Sequence, residues 1–94
     1  MDFEWDTAKD ASNRRKHRIG FSEAAEIFRG LIVVAEDRRR DYGERRLIAL
    51  GEYDGDVIRV VFTERGTAVR IISAWKANRN ERETYKKAQQ DRPL

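Results

Sequence analysis

His17 is the one side chain here that ordinarily exchanges protons near neutral pH, and it stands in the run Arg14-Arg15-Lys16-His17-Arg18. Among four cationic neighbours, a neutral imidazole could act as a general base. A helix-end histidine facing solvent is the plainer reading. Arginine supplies most of the positive charge, notably in Arg38-Arg39-Arg40 and Arg45-Arg46. Guanidinium suits bidentate phosphate contact, although a solvated, salt-bridged surface uses the same residues. A cluster converging on one face would favour nucleic acid. Cysteine is absent, so no disulfide, thiolate metal site or thiol nucleophile is available. A single histidine excludes a multi-histidine metal centre. No Walker loop, GxGxxG or calcium-loop spacing occurs, and neither metal nor cofactor is expected. What remains is chemistry done by Arg, Lys, His, Glu and Tyr. Cleavage of RNA by its own ribose 2′-hydroxyl fits. The nucleophile is in the substrate, and the protein need only hold the phosphate in line, move two protons and offset the charge of the phosphorane. Composition alone favours a non-enzymatic binding module over a nuclease.

The elements that would position these residues must come from a thin core. Of the 94 residues, 39% are hydrophobic and 39% charged. Globular domains average about 45–50% and about 25%. One small domain spanning 1–94 is expected. The net charge of +3 hides an asymmetry. Residues 21–63 carry seven basic and nine acidic side chains, and residues 64–94 carry eight and four. No stretch approaches 18 apolar residues, so no membrane-spanning helix is expected. The start, MDFEWDTAKD, lacks the cationic and apolar regions of a signal peptide, which makes the cytoplasm the expected location.

Residues 2–5 are read as a short edge strand. Asp6 then caps a polar helix over 7–17, with Ala8 and Ala11 forming a thin apolar stripe, and Gly20 ends the segment. Ser22 is read as the cap of a second helix over 23–29, with Ala24, Ile27 and Phe28 on one face, and Gly30 breaks it. Four strands are expected next: Leu31–Ala35, Arg46–Tyr53, Val57–Thr63 and Val69–Trp75. A charged loop occupies 36–44, and tight turns fall at Asp54-Gly55 and Arg65-Gly66. Short loops predict an antiparallel meander. Near their centres the third and fourth strands are apolar on both faces, which predicts helices on one face and further packing on the other. Asn78 and Glu81 have capping-box spacing and open a last helix to about Gln89, and Pro93 ends the chain. The expected class is α+β, with two N-terminal helices on one face of a curved four-stranded antiparallel sheet.

Three blocks of residues, taken in order, resemble the BrnT family of bacterial toxins. The first is Glu4-Trp5-Asp6, Lys9, Asn13, Lys16-His17, Phe21, Glu23-Ala24 and Phe28. The second is Asp41-Tyr42-Gly43-Glu44, Arg46 and Gly51, leading into Asp54-Gly55. The third is Thr63, Arg65-Gly66, Arg70-Ile71-Ile72-Ser73-Ala74, Lys76-Ala77-Asn78, Glu81 and Tyr85. The resemblance implies a RelE-like fold and metal-independent cleavage of RNA, most naturally messenger RNA, that halts translation. It also implies a BrnA-like antitoxin with a ribbon-helix-helix domain, through which alone operator DNA would be contacted. Carried over by position, Arg46 and Arg70 are expected to grip the scissile phosphate, with His17 or Glu44 moving protons. Arg65 and Arg79 are expected as further RNA contacts. A salt bridge or strand-face ion pair is the structural alternative for Glu44, Arg46 and Arg70, and packing for Trp5 and Tyr85. Where the family carries a basic residue after Ile-Ser-Ala, this chain has Trp75, which could stack on a base, or Lys76 could restore the charge. Arg59, inside an apolar strand, falls outside the family pattern. The alternative function is a non-catalytic module of the same fold that binds nucleic acid or antitoxin.

Overall fold

Asp2–Trp5 forms strand β1, and Asp6 caps helix α1 (Thr7–His17) by accepting a hydrogen bond from the Lys9 backbone N–H at 3.0 Å. The computed structural model describes residues 1–92, so the expectation for Pro93 lies outside the described residues. Helix α1 stops before Gly20. Arg18 takes the left-handed conformation (φ +63°) and donates its N–H to the Arg14 carbonyl at 3.0 Å.

Gly20, not Ser22, begins the next helix. Its N–H is held by the Glu23 carboxylate at 2.9 Å, and the Phe21 N–H by Asp10 of α1 at 2.8 Å. These bonds start the segment two residues earlier than expected. The result is a single α-turn, α2 (Phe21–Ala24), running on as a 3₁₀ turn over Ala25–Arg29. The tighter turn sets Ile27 against Gly51, where a β-carbon on the glycine would lie 2.5 Å from the Ile27 Cβ.

The first strand after the helices is β2, Val33–Asp37, displaced by two residues from the expected span. Leu31 packs instead of pairing, and its carbonyl accepts from the Tyr85 hydroxyl at 2.9 Å. At the far end Glu36 and Asp37 continue the ladder opposite Leu47 and Arg46. Strands β3 (Arg46–Tyr53), β4 (Asp56–Arg65) and β5 (Ala68–Lys76) follow as a meander. The β3–β4 turn places both Asp54 (φ +50°) and Gly55 (φ +82°) in the left-handed region, as a two-residue hairpin of matching twist requires. Helix α3 spans Arg79–Gln90, with the expected reciprocal bonds between Asn78 and Glu81, both 2.9 Å.

The sheet is mixed and has five strands in the order β1-β5-β4-β3-β2, not four in a purely antiparallel arrangement. Strand β1 joins β5 in parallel, from Asp2 beside Ala68 to Trp5 beside Ile71. Below Ile71, β5 has no strand on that side, and α1 covers it with a side chain. The buried Asn13 amide donates to the Ala74 carbonyl (2.7 Å) and the Ile19 carbonyl (2.8 Å), and accepts from the Ala74 N–H (3.2 Å). Helix α1 is therefore docked by one amide, while the expected stripe of Ala8 and Ala11 faces solvent. An exposed strand edge needs hydrogen-bond partners that alanine cannot supply.

Phe21, Ala24 and Ile27 cover one face of the sheet, over Leu47, Ala49, Ile58, Val60, Phe62 and Ile71. Trp5 packs edge-on to Phe21 in this layer. Helix α3 covers only one end of the other face, where Tyr85 and Ala77 meet Leu50, Val33 and Val57. The rest of that second face carries the polar residues singled out by sequence.

Candidate active site

One row crosses the open face on all five strands. Glu4 of β1 lies beside Arg70 of β5, and Arg70 beside Thr63 of β4. The β3–β4 register carries Arg46 opposite Thr63, and Arg46 is in turn paired with Asp37 of β2. Strand alternation thus brings Arg46 and Arg70, 24 positions apart in the sequence, to one face two strands from each other. A bulge between the rows of Val61 and Phe62 makes Ile72 the extra residue of β5. Without it, Arg70 and Trp75 would project from opposite faces, because they are an odd number of residues apart.

Both arginines are half-buried, with side-chain exposures of 22% for Arg46 and 29% for Arg70. Glu44 lies 3.6 Å from the Arg46 Nε and 3.7 Å from an Arg65 Nη. Glu4 is 3.9 Å from Arg70. None of these is a close ion pair, and the Arg46 Nε is buried with no hydrogen-bond partner among the described residues. Thr63 is buried, and its hydroxyl donates to the Arg45 carbonyl at 2.7 Å. The guanidinium of Arg46 lies over the Tyr42 ring, 4.1 Å from its centroid. Two guanidinium groups without close ion pairs thus flank a threonine, and groups of this kind suit bidentate contact with an anion.

The second group lies further down the same face. Trp75 is the cross-strand partner of Arg59, whose guanidinium sits 5.2 Å from the indole centroid and is hydrogen-bonded to Glu81 of α3. That accounts for Arg59: it ties β4 to α3 across the indole. His17, at the end of α1, is solvent-exposed and has its ring centroid 5.5 Å from that of Trp75. Strand rise separates the Arg70 and Trp75 positions by roughly 15 Å. The expected proton carriers therefore part company, with Glu44 beside the arginines and His17 at the tryptophan.

The other expected contacts also divide. Arg65 joins Glu44 at the row. Arg79 opens α3, strongly exposed and paired with Glu83 at 3.3 Å. Lys76 alternates to the opposite face from Trp75 and lies 3.7 Å from Asp56, so it does not restore the charge that Trp75 lacks. Among the described residues, no three His, Cys, Asp or Glu side chains converge as a metal site would need.

Asp37 is the site residue that sequence reasoning missed, having placed it in the charged loop. Its carboxylate is fully enclosed and accepts from the Arg39 side chain at 2.8 and 2.9 Å, the Arg39 N–H at 3.2 Å and the Tyr42 hydroxyl at 3.1 Å. The Arg39 guanidinium holds this carboxyl far below the usual carboxylate range, against the opposing effect of burial. The one hint in the sequence was an aspartate directly before an arginine run.

A family model described as "Ribonuclease toxin, BrnT, of type II toxin-antitoxin system" matches residues 5–81, most of the chain and every residue of the row except Glu4. A search of curated proteins finds no match. The chain belongs to the BrnT family of ribonuclease toxins of type II toxin–antitoxin systems.

Proposed function

We propose that this toxin cleaves RNA, with messenger RNA as its cellular target, at the row of Arg46, Thr63 and Arg70, without a metal and in the cytoplasm. The row itself carries this reading: two half-buried arginines two strands apart, with a carboxylate beside each. Two strand spacings separate their Cα atoms by about 10 Å. Guanidinium groups reaching inward from that separation can engage different oxygens of one phosphate. Glu44 takes the proton of the 2′-hydroxyl as that oxygen bonds to phosphorus. The bond from phosphorus to the 5′-oxygen breaks, and the departing oxygen takes a proton from solvent. A 2′,3′-cyclic phosphate and a 5′-hydroxyl result. Arg46 and Arg70 offset the charge of the phosphorane. His17 and Trp75 contact the adjoining nucleotide through their rings, with Arg65 and Arg79 adding phosphate contacts. Family membership supports an antitoxin partner. We take it to be a BrnA-like ribbon-helix-helix protein, and operator DNA to be contacted through it alone. A sheet with helices on both faces is in keeping with a RelE-like fold.

The test is purified protein incubated with RNA, with and without chelator. Cleavage is expected in both. Arg46→Ala and Arg70→Ala should each slow the chemical step by about 100-fold or more. His17→Ala should act mainly on KM, as loss of a stacking contact would. A chelator-sensitive rate would overturn the metal-free step. No cleavage at any pH from about 6 to 9 would leave a binding module of the same fold.

A further inference from the structure

A buried carboxylate is costly, and Asp37 stands at the end of an edge strand where solvent is close at hand. Its four hydrogen bonds come from only two residues, Arg39 and Tyr42, both in the 38–45 loop. The Arg39 side chain is itself 58% exposed, so the cluster is not a core ion pair. It folds the loop back toward the sheet. With its hydroxyl pinned by Asp37, the Tyr42 ring is turned so that the Arg46 guanidinium rests on it at 4.1 Å. Arg46 has little else to orient it, since its Nε is unpartnered among the described residues and Glu44 stands 3.6 Å off. A guanidinium on an aromatic face loses rotational freedom but keeps its in-plane donors free.

We propose that Asp37 and Tyr42 are positioning residues that aim the Arg46 guanidinium across the open face, acting through the Tyr42 ring. The inference rests on Arg46 as the phosphate-binding group. It assigns the charged loop a role in the site beyond carrying Glu44.

The test uses the full chain with Tyr42→Phe, Tyr42→Leu, Asp37→Asn and Arg46→Ala. The first readout is the Arg46 Nε–H resonance, which ring currents displace while the guanidinium lies over the ring. Tyr42→Phe should retain the displacement, Asp37→Asn reduce it and Tyr42→Leu abolish it. This readout needs no catalysis, so it decides the positioning role even if the protein cleaves no RNA. The second readout is binding of a non-cleavable 2′-O-methyl RNA oligonucleotide, with cleavage of RNA alongside it. Tyr42→Leu should lower kcat by up to about 100-fold, as misplacement of a charge-stabilising group does. Tyr42→Phe should recover most of that loss. In both affinity and rate, the Tyr42→Leu/Arg46→Ala double variant should be no worse than Arg46→Ala alone. Multiplying effects, or an unmoved Arg46 resonance in Tyr42→Leu, would overturn the proposal. If Tyr42→Leu fails to fold by circular dichroism, Asp37→Asn decides by the same two readouts.

Discussion

Replacing Asn13 with alanine removes the side chain that completes the sheet where β1 ends. Three hydrogen bonds disappear: those to the Ala74 and Ile19 carbonyls and that from the Ala74 N–H. Ala74 is fully buried and Ile19 nearly so in the native chain, so the freed groups lie away from bulk solvent. Each bond contributes about 1 kcal/mol net, and a buried group left unpaired costs about 1–3 kcal/mol. Allowing for partial relaxation, the loss should be about 3–5 kcal/mol. A chain of this size has roughly 5–14 kcal/mol in total, so the variant should lose about a fifth or more of its stability. The midpoint of thermal unfolding should fall by at least about 12 °C. Urea unfolding followed by far-UV circular dichroism measures this directly. Ser12→Ala, one residue away and outside the network, is the control and should change stability by less than about 0.5 kcal/mol. Asn13→Asp sharpens the test. It keeps an acceptor for the Ala74 N–H but sets a carboxylate oxygen against two carbonyls. At pH 7 it should be at least as unstable as the alanine variant. The introduced carboxyl would have a raised folded-state pKa, so the deficit should shrink as the pH falls and a proton returns a donor. A loss below about 1 kcal/mol for Asn13→Ala would refute the edge-capping role.

Gly51→Ala should cost about 2 kcal/mol or more in urea unfolding, because the new β-carbon meets the Ile27 Cβ at 2.5 Å and that atom cannot rotate away. Asp37→Asn should lower stability at pH 7 by about 1–3 kcal/mol through its lost charge-assisted bonds, a figure limited by the exposure of Arg39. A depressed folded-state pKa contributes stability above the unfolded value, near 3.9, and that contribution is lost as the pH falls through the folded one. The gap between wild type and Asp37→Asn should therefore narrow by about 1.4 kcal/mol per unit below about pH 4, and a gap constant from neutral to strongly acid pH would contradict it. In RNA cleavage, the kcat losses of Arg46→Ala and Arg70→Ala should exceed that of His17→Ala, since His17 stands beside Trp75 and not at the row.

The β3–β4–β5 meander, its turn at Asp54-Gly55 and both helix caps at Asp6 and Asn78 were legible because each rests on neighbours a few residues apart. Alternation along a strand reports its faces, and turn residues report where it reverses. Arg46 and Arg70 were picked out by their place in a family pattern, and Glu44 with them. That pattern left His17 and Glu44 as equal claimants to the same phosphate, and only the length of β5 between Arg70 and Trp75 and the position of α1 at the β5 edge separated them. The parallel pairing of β1 with β5 and the amide of Asn13 against Ala74 had no local signature. They are lateral contacts, decided by which backbone groups are left without partners once the strands are side by side. Sequence by itself determined the family, with the ribonuclease activity that its description carries, and most element boundaries. Tertiary structure decided which charges meet, because hydrogen bonding across a sheet joins residues whose separation along the chain carries no information about it.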